Sequence, residues 1–240
     1  NFGTRVRTTA TLLHRSSPAT VKAMSEQAMQ TREITGDGVV ATVTGPDRPT
    51  GLVVLAHGAG GDRNAPVLVA LAGSLTGIGL AVARIDLPYR QQRPKGPPSP
   101  SRAAVDRDGI AAACTVLREQ VPGPLILGGH SYGGRQASML VAENPEFADG
   151  LLLTSYPLHP PGKPERMRTE HLPGITIPTV IVHGRSDAFG TSDEMAAAAT
   201  LFGGPVHVVE VDKADHSLRP ERSGVAALTA AAVAQYLLPG

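Results

Sequence analysis

Residues 128–134 read Gly-Gly-His-Ser-Tyr-Gly-Gly, directly behind the apolar run Pro124-Leu125-Ile126-Leu127, and no other stretch of the chain restricts its own backbone so tightly. A serine with a glycine two residues to either side, closing a short strand and opening the helix-like Arg135–Ala142, has the form of a strand–turn–helix elbow. Gly129 and Gly133 lack Cβ atoms, so two backbones can close on one another while Ser131 takes up a strained conformation. Such a turn suits a nucleophile. A hydroxyl attacks poorly unless it is held exposed, with a base to take its proton and backbone N–H groups to meet the developing oxyanion. Gly-x-Ser-x-Gly alone arises often by chance; the strand before it and the helix after it give it meaning.

Around this elbow, short apolar runs alternate with longer helical patterns. That is the rhythm of an α/β fold, a mostly parallel, doubly wound sheet with helices on both faces. The pattern predicts strands near 32–44, 51–57, 79–86, 124–129, 150–155, 178–183 and 206–211. It predicts helices near 65–77, 101–120, 133–143, 192–202 and 221–237. Ligands of such sheets bind beyond the carboxyl ends of the strands, and the loops there carry the unusual residues.

With 240 residues, the chain suits one α/β domain, expected over 31–240. Residues 1–30 read as a non-catalytic N-terminal extension. The first 25 contain Arg5, Arg7, Arg15 and Lys22 with no acid, and no apolar core of a secretory signal. Because the formal charge of the whole chain is only +1, the remainder is net acidic, which argues against a nucleic-acid partner. No apolar run reaches the roughly 18 to 20 residues needed to span a bilayer. The single cysteine, Cys114, excludes an internal disulfide or a multi-cysteine metal cluster and fits a reducing cytoplasm. It lies in the helix-like Ile110–Leu117, where it reads as a small buried hydrophobe.

A serine nucleophile needs a histidine, and the imidazole needs a carboxylate to fix its tautomer. Val180–Asp187 is a buried strand followed by a tight turn that ends in an acid. Val208–Leu218 repeats that layout one strand later with His216 on the loop. The resulting order Ser131, Asp187, His216 is the Ser…Asp…His order of one serine-hydrolase architecture and differs from the others. The oxyanion would be met by the N–H of Tyr132, which follows the nucleophile, and by an N–H of the loop His57-Gly58-Ala59-Gly60-Gly61, expected to be that of Ala59. No histidine pair has metal-ligand spacing on one helix face, so neither a metal nor another cofactor is expected.

These residues make the chain resemble the α/β-hydrolase superfamily near its dienelactone-hydrolase-like members, over about 32–238. The blocks Ala56–Arg63, Leu87–Arg90, Tyr156–Pro164 and Ala214–Leu218 are similar to a hydrolase-like family that includes bacterial proteins, a testis-expressed protein and a subunit of a chromatin acetyltransferase complex. Dienelactone hydrolases carry cysteine where this chain has Ser131. In the closer family, arginine and methionine flank the serine where His130 and Tyr132 stand here. Some relatives are assembly subunits, so the fold by itself does not prove catalysis.

The stretch from Pro157 to Ile177 is too short for a helical lid, and its prolines favour an extended loop over an open site. Two loops at the rim are basic: Arg90, Arg93 and Lys95 in one, Lys163, Arg166 and Arg168 with His159 and His171 in the other. His57, Tyr89, Arg90 and His159 are the candidates for substrate contact. Together these features point to a small-molecule acyl substrate, a small or medium carboxylic ester or thioester, cleaved through an acyl-enzyme. The alternatives are a non-catalytic interaction subunit, or amide hydrolysis or another acyl transfer by the same three residues. Nothing in the pattern fixes an oligomeric state.

Overall fold

The computed structural model describes residues 28–238. Residues 1–27 of the expected extension lie outside that range, whereas Met29 and Gln30 already belong to the first strand. In chain order the elements are β1 (Met29–Gly36), β2 (Val39–Pro46), β3 (Leu52–Ala56), α1 (Pro66–Thr76), β4 (Ala81–Ile85), α2 (Pro88–Gln92) and α3 (Ala103–Arg118). There follow β5 (Leu125–His130), α4 (Tyr132–Glu143), β6 (Gly150–Thr154), β7 (Thr179–Gly184), α5 (Ser192–Ala199), β8 (Val206–Val211), α6 (Pro220–Ser223) and α7 (Val225–Tyr236).

The eight strands form one sheet in the order β1-β2-β4-β3-β5-β6-β7-β8. β1 and β2 pair antiparallel, as do β2 and β4; every other pair is parallel. Parallel strands are covered on both faces, so their side chains need not alternate in polarity. β3, Leu-Val-Val-Leu-Ala, is wholly buried. Leu52, Val54 and Ala56 pack with Ile110 and Leu117 of α3 and Ala137 and Val141 of α4. Val53 and Leu55 pack on the opposite face with Leu68 and Leu71 of α1 and Val233 of α7. The alternation of β3 thus divides the core into two layers, one on each side of the sheet. Cys114 is buried in the first layer, where desolvation pushes its thiol up to about 12 and leaves it inert.

The sequence and the structure part company at three places. The expected strand 32–44 is a hairpin, β1 and β2, turned by Asp37 and Gly38 with φ of 53° and 77°. Two successive left-handed residues make the turn whose twist suits antiparallel strands, and Asp-Gly is a favoured pair for it. The expected last helix is interrupted at Gly224, whose φ of 67° ends α6 before α7 begins. Where the sequence pattern predicts a loop after β4, the chain forms the short helix α2; Pro88 at its first turn, with φ already fixed, supplies its start. Within the loop 157–177 the only helical element is a 3-10 turn at Leu172–Gly174, and Leu158, Leu172 and Ile175 anchor the loop in the core.

Candidate active site

β5 brings the chain to Ser131, whose φ of 51° and ψ of −114° are followed at once by the first residue of α4. A non-glycine residue at positive φ costs of order 1–3 kcal/mol, so the neighbouring structure must hold it there. It does so from both sides: the Ser131 N–H donates to Thr154 O at 2.8 Å, and its carbonyl accepts from Arg135 N–H at 2.9 Å. Gly129 and Gly133 pass so close to Ala56 of β3 that a Cβ on either would overlap its carbonyl oxygen. That contact is what the glycine spacing in the sequence serves.

Asp187 follows β7 on a turn closed by its own N–H to Gly184 O at 3.0 Å, and His216 follows β8. The structure brings the three residues together. His216 Nδ1 lies 2.9 and 2.8 Å from the two carboxylate oxygens of Asp187, and its Nε2 lies 2.8 Å from Ser131 Oγ. A carboxylate only accepts, so it holds the imidazole proton on Nδ1 and turns the Nε2 lone pair toward the serine hydroxyl. Asp187 is nearly buried, and Phe189 N–H donates to its Oδ1 at 2.8 Å. The histidine loop is itself tight: Lys213, Leu218 and Arg219 have φ of 55°, 58° and 35°. The fully buried Leu218 pins it to the α1/α7 layer of the core.

Two further rings surround the imidazole. Phe189 stacks on it with centroids 4.0 Å apart, and His130 lies 5.6 Å away on another side. Burial, with a smaller push from His216, lowers the His130 imidazole to about 4 and keeps it uncharged beside the site.

Tyr132 is the first residue of α4, so its N–H has no carbonyl one turn back within the helix. The loop after β3 passes against Ser131: a Cβ on Gly58 would stand 3.6 Å from Ser131 Cβ. The carbonyl of Gly58 accepts from His57 Nδ1–H at 2.8 Å, Gly61 N–H at 3.1 Å and Tyr89 Oη–H at 3.2 Å. In a trans peptide the N–H opposes the carbonyl, so these three donors also fix the direction of the Ala59 N–H.

The four residues expected to contact substrate are all engaged by the protein itself. His57 is fully buried, accepts Leu87 N–H on Nε2 at 3.1 Å and is pushed down in pKa by burial. Tyr89 is buried, with its hydroxyl on the loop carbonyls. Arg90 is not a rim cation. Its guanidinium is buried and donates to the carbonyls of Gly61, Arg93 and Gly96 at 2.7, 3.1 and 3.1 Å. His159 is buried against Glu194 in the first turn of α5, 3.2 Å away. All four tie loops together. Arg93, Lys95, Lys163 and Arg166 stand in solvent, while Arg168 is half-buried and donates to Pro157 O at 3.3 Å.

Phe189 and Asp106 join this environment without having been singled out by sequence. Phe189 belongs to no pattern. Asp106 had a signal: it extends the buried stripe Ile110, Ala113, Leu117 of α3 back by one turn, a place where an acid is anomalous.

Comparison with known proteins agrees with the architecture. The α/β hydrolase domain profile matches residues 49–236. A dienelactone hydrolase from Anabaena variabilis is similar in structure with a TM-score of 0.70 at 20% identity, over 88% of this chain and 99% of that one. TT1662 from Thermus thermophilus has a TM-score of 0.72 at 20% identity over 89% of this chain and 100% of that one. Est1E from Butyrivibrio proteoclasticus has a TM-score of 0.64 at 17% identity over 85% and 98%. With the family profile spanning most of its length and a mostly parallel eight-stranded sheet beneath the elbow, the chain belongs to the α/β-hydrolase family.

Proposed function

We propose that the protein is a serine hydrolase that cleaves small or medium carboxylic esters or thioesters through an acyl-enzyme. The observation that carries this reading is the continuous hydrogen-bonded line from Asp187 through His216 to Ser131 Oγ. In the proposed reaction Ser131 Oγ attacks the acyl carbon as His216 Nε2 takes the hydroxyl proton, and Asp187 stabilises the imidazolium. The carbonyl oxygen becomes an oxyanion between the N–H groups of Tyr132 and Ala59. Each such donor is typically worth about 2.7–4 kcal/mol in the transition state. Collapse breaks the bond to the leaving alcohol or thiol, which takes the proton from Nε2. Water then attacks the acyl-serine with His216 as base again, releasing the acid and restoring the hydroxyl.

Support for a small substrate comes from the surroundings. A cavity of about 260 Å³, with Ala65, Pro66, Val67 and the charged Arg219 and Glu221 among its walls, is also lined by His130 and Ser217, the residues before Ser131 and after His216 in the chain. One similar structure is the esterase domain of a Rhodothermus marinus protein, which fits ester chemistry.

The test is labelling with a fluorophosphonate followed by peptide mapping. The reading expects the label on Ser131, and none in Ser131→Ala. A folded wild-type protein that takes no label, or takes it elsewhere, would overturn it and favour an interaction subunit.

A further inference from the structure

Asp106 has no place in the reaction just described, yet it is one of the most deeply buried charged residues in the protein, at 1% exposure. Among the described residues its carboxylate forms no ion pair. Burying a carboxylate without a cation is costly and is tolerated only where its oxygens are well hydrogen-bonded. Here the two oxygens are divided between two tyrosines. Oδ1 accepts the backbone N–H of Tyr89 at 3.1 Å, and Oδ2 accepts the hydroxyl of Tyr132 at 2.7 Å.

Each tyrosine leads to a different half of the proposed oxyanion site. Tyr89 lies in the first turn of α2, whose preceding residue Leu87 offers no side-chain cap, so Asp106 satisfies an otherwise orphaned helix donor from outside. Held in this way, Tyr89 directs its hydroxyl onto the carbonyls of Gly58 and Ala59 at 3.2 and 2.9 Å, the peptide groups on either side of the Ala59 Cα. Tyr132 carries the other N–H donor on its own backbone, and its ring reaches away from the site to the carboxylate. The two rings meet edge to face, with centroids 6.0 Å apart and an interplanar angle of 87°.

From this arrangement we infer that Asp106 is a positioning residue: one carboxylate on α3 sets the spacing between the Ala59 and Tyr132 N–H groups that receive the oxyanion. Capping of α2 alone would use only one oxygen and would leave Tyr132 unexplained. The inference rests on the serine-hydrolase reading above. Its function is to keep two donors, one on a loop and one on a helix start, at a fixed separation while charge develops between them. Donors gain their catalytic effect from being held in place before the reaction, so a loosened pair should weaken the transition state more than the bound ester.

The experiment compares wild type, Asp106→Leu, Asp106→Asn and Tyr132→Phe on an activated ester, with rates normalised to fluorophosphonate-titrated sites. Asp106→Leu removes both contacts at similar volume and should lower kcat roughly 10- to 100-fold with KM within about threefold, as expected for partial loss of one oxyanion donor. Its affinity for a trifluoromethyl ketone, which mimics the tetrahedral adduct, should fall by a similar factor. Asp106→Asn retains an acceptor for Tyr89 N–H and a donor for the Tyr132 oxygen, and should recover most of the loss. Tyr132→Phe cuts one arm only, should fold as wild type, and should fall between the two.

If titrated sites in Asp106→Leu and Tyr132→Phe turn over at the wild-type rate and bind the ketone equally well, Asp106 only stabilises the fold and the inference is overturned. The same follows if Asp106→Leu does not fold and Tyr132→Phe is fully active. A wild type that neither labels nor hydrolyses any ester instead sinks the parent reading, and the inference with it.

Discussion

Phe189 lies face to face with His216, ring centroids 4.0 Å apart and planes 27° from parallel, so one side of the imidazole meets carbon instead of water. The same residue donates its N–H to Asp187 Oδ1 at 2.8 Å. Its backbone therefore restrains the Asp187 carboxylate while its side chain restrains the His216 imidazole. Aromatic pairs of this kind are worth about 0.5–1.5 kcal/mol, equivalent to a factor of roughly 2 to 12 in rate. Phe189→Ala should lower kcat per titrated site by that factor, and Phe189→Leu, which keeps bulk but not the flat face, by less. Wild-type turnover in Phe189→Ala would show that the stacking does not restrain the imidazole.

The three central residues should fail as a unit. Ser131→Ala and His216→Ala should each remove roughly 10⁴ to 10⁶ in kcat, with little further loss in the double variant, because the proposed reaction uses both in one proton transfer. Asp187→Asn should cost about 10⁴. The neighbouring acids have other partners: Asp215 binds Ser217 and Arg219, which hold its carboxyl down at about 2, and Asp212 pairs with Arg185 at 3.2 Å. Asp215→Asn and Asp212→Asn should leave kcat within severalfold of wild type. Steady-state kinetics on the folded variants decide the matter, and additive losses at Ser131 and His216 would separate their roles.

Acid should weaken the fold well above the range where carboxylates titrate. Burial lowers His130 to about 4, and burial with the nearby Arg135 charge lowers His171 to about 4. In the unfolded chain both take up a proton near 6.5, so the unfolded state binds more protons between those values. The stability these histidines support is complete above about 6.5 and is lost as pH falls toward about 4, by at most about 1.4 kcal/mol per pH unit for each. His159 has the opposite sign. Its hydrogen bond to Pro160 O and the adjacent Glu194 raise it, so its contribution is greatest below 6.5 and declines as pH rises through its folded value. His171 Nε2 lies 2.8 Å from Ser138 Oγ; urea unfolding at a series of pH values should show the acid-side slope, and His171→Gln, which can still bond Ser138, should reduce it. A curve flat from 7 down to 4.5 would contradict the neutral state of both rings.

Ser131 should be a site where activity and stability oppose one another. Glycine accepts its φ of 51° without the penalty that a Cβ imposes. Ser131→Gly should therefore be inactive yet melt at a higher temperature than Ser131→Ala, by an amount corresponding to about 1 kcal/mol after the entropy of the added glycine is counted. Equal melting temperatures for the two variants would mean that the elbow stores no strain.

What could be read from the chain divides along physical lines. The elbow was legible because its backbone geometry demands small residues at fixed offsets, and Gly129 and Gly133 record that demand locally. The alternating layers were legible because β3 to β7 are buried runs separated by helical patterns. The Asp37-Gly38 turn was equally written in the sequence, but a continuous β-rich stretch around it reads as one strand when the turn pair is not given weight. The surroundings of His57, Tyr89 and Arg90 are hidden from the sequence for a different reason. A residue at the active edge of a strand can face a ligand or fold back onto loop carbonyls, and the partners that decide it, such as Leu87 N–H for His57, lie 30 residues away in sequence. Asp106 shows the converse: its anomaly is local, but its meaning appears only once two tyrosines from other elements converge on it.

The loop that carries His216 sets a limit on how this protein can be made more robust. Lys213 and Arg219 are exposed, sit in left-handed conformations and invite replacement by glycine or asparagine, as a thermostabilisation campaign would suggest. Such changes relax the backbone on both sides of the histidine and widen the range of positions the imidazole samples relative to Ser131. Variants chosen for heat tolerance at these two positions should thus drift toward slower turnover. Gains sought on the far side of the sheet, at the exposed β1 edge, carry no such penalty.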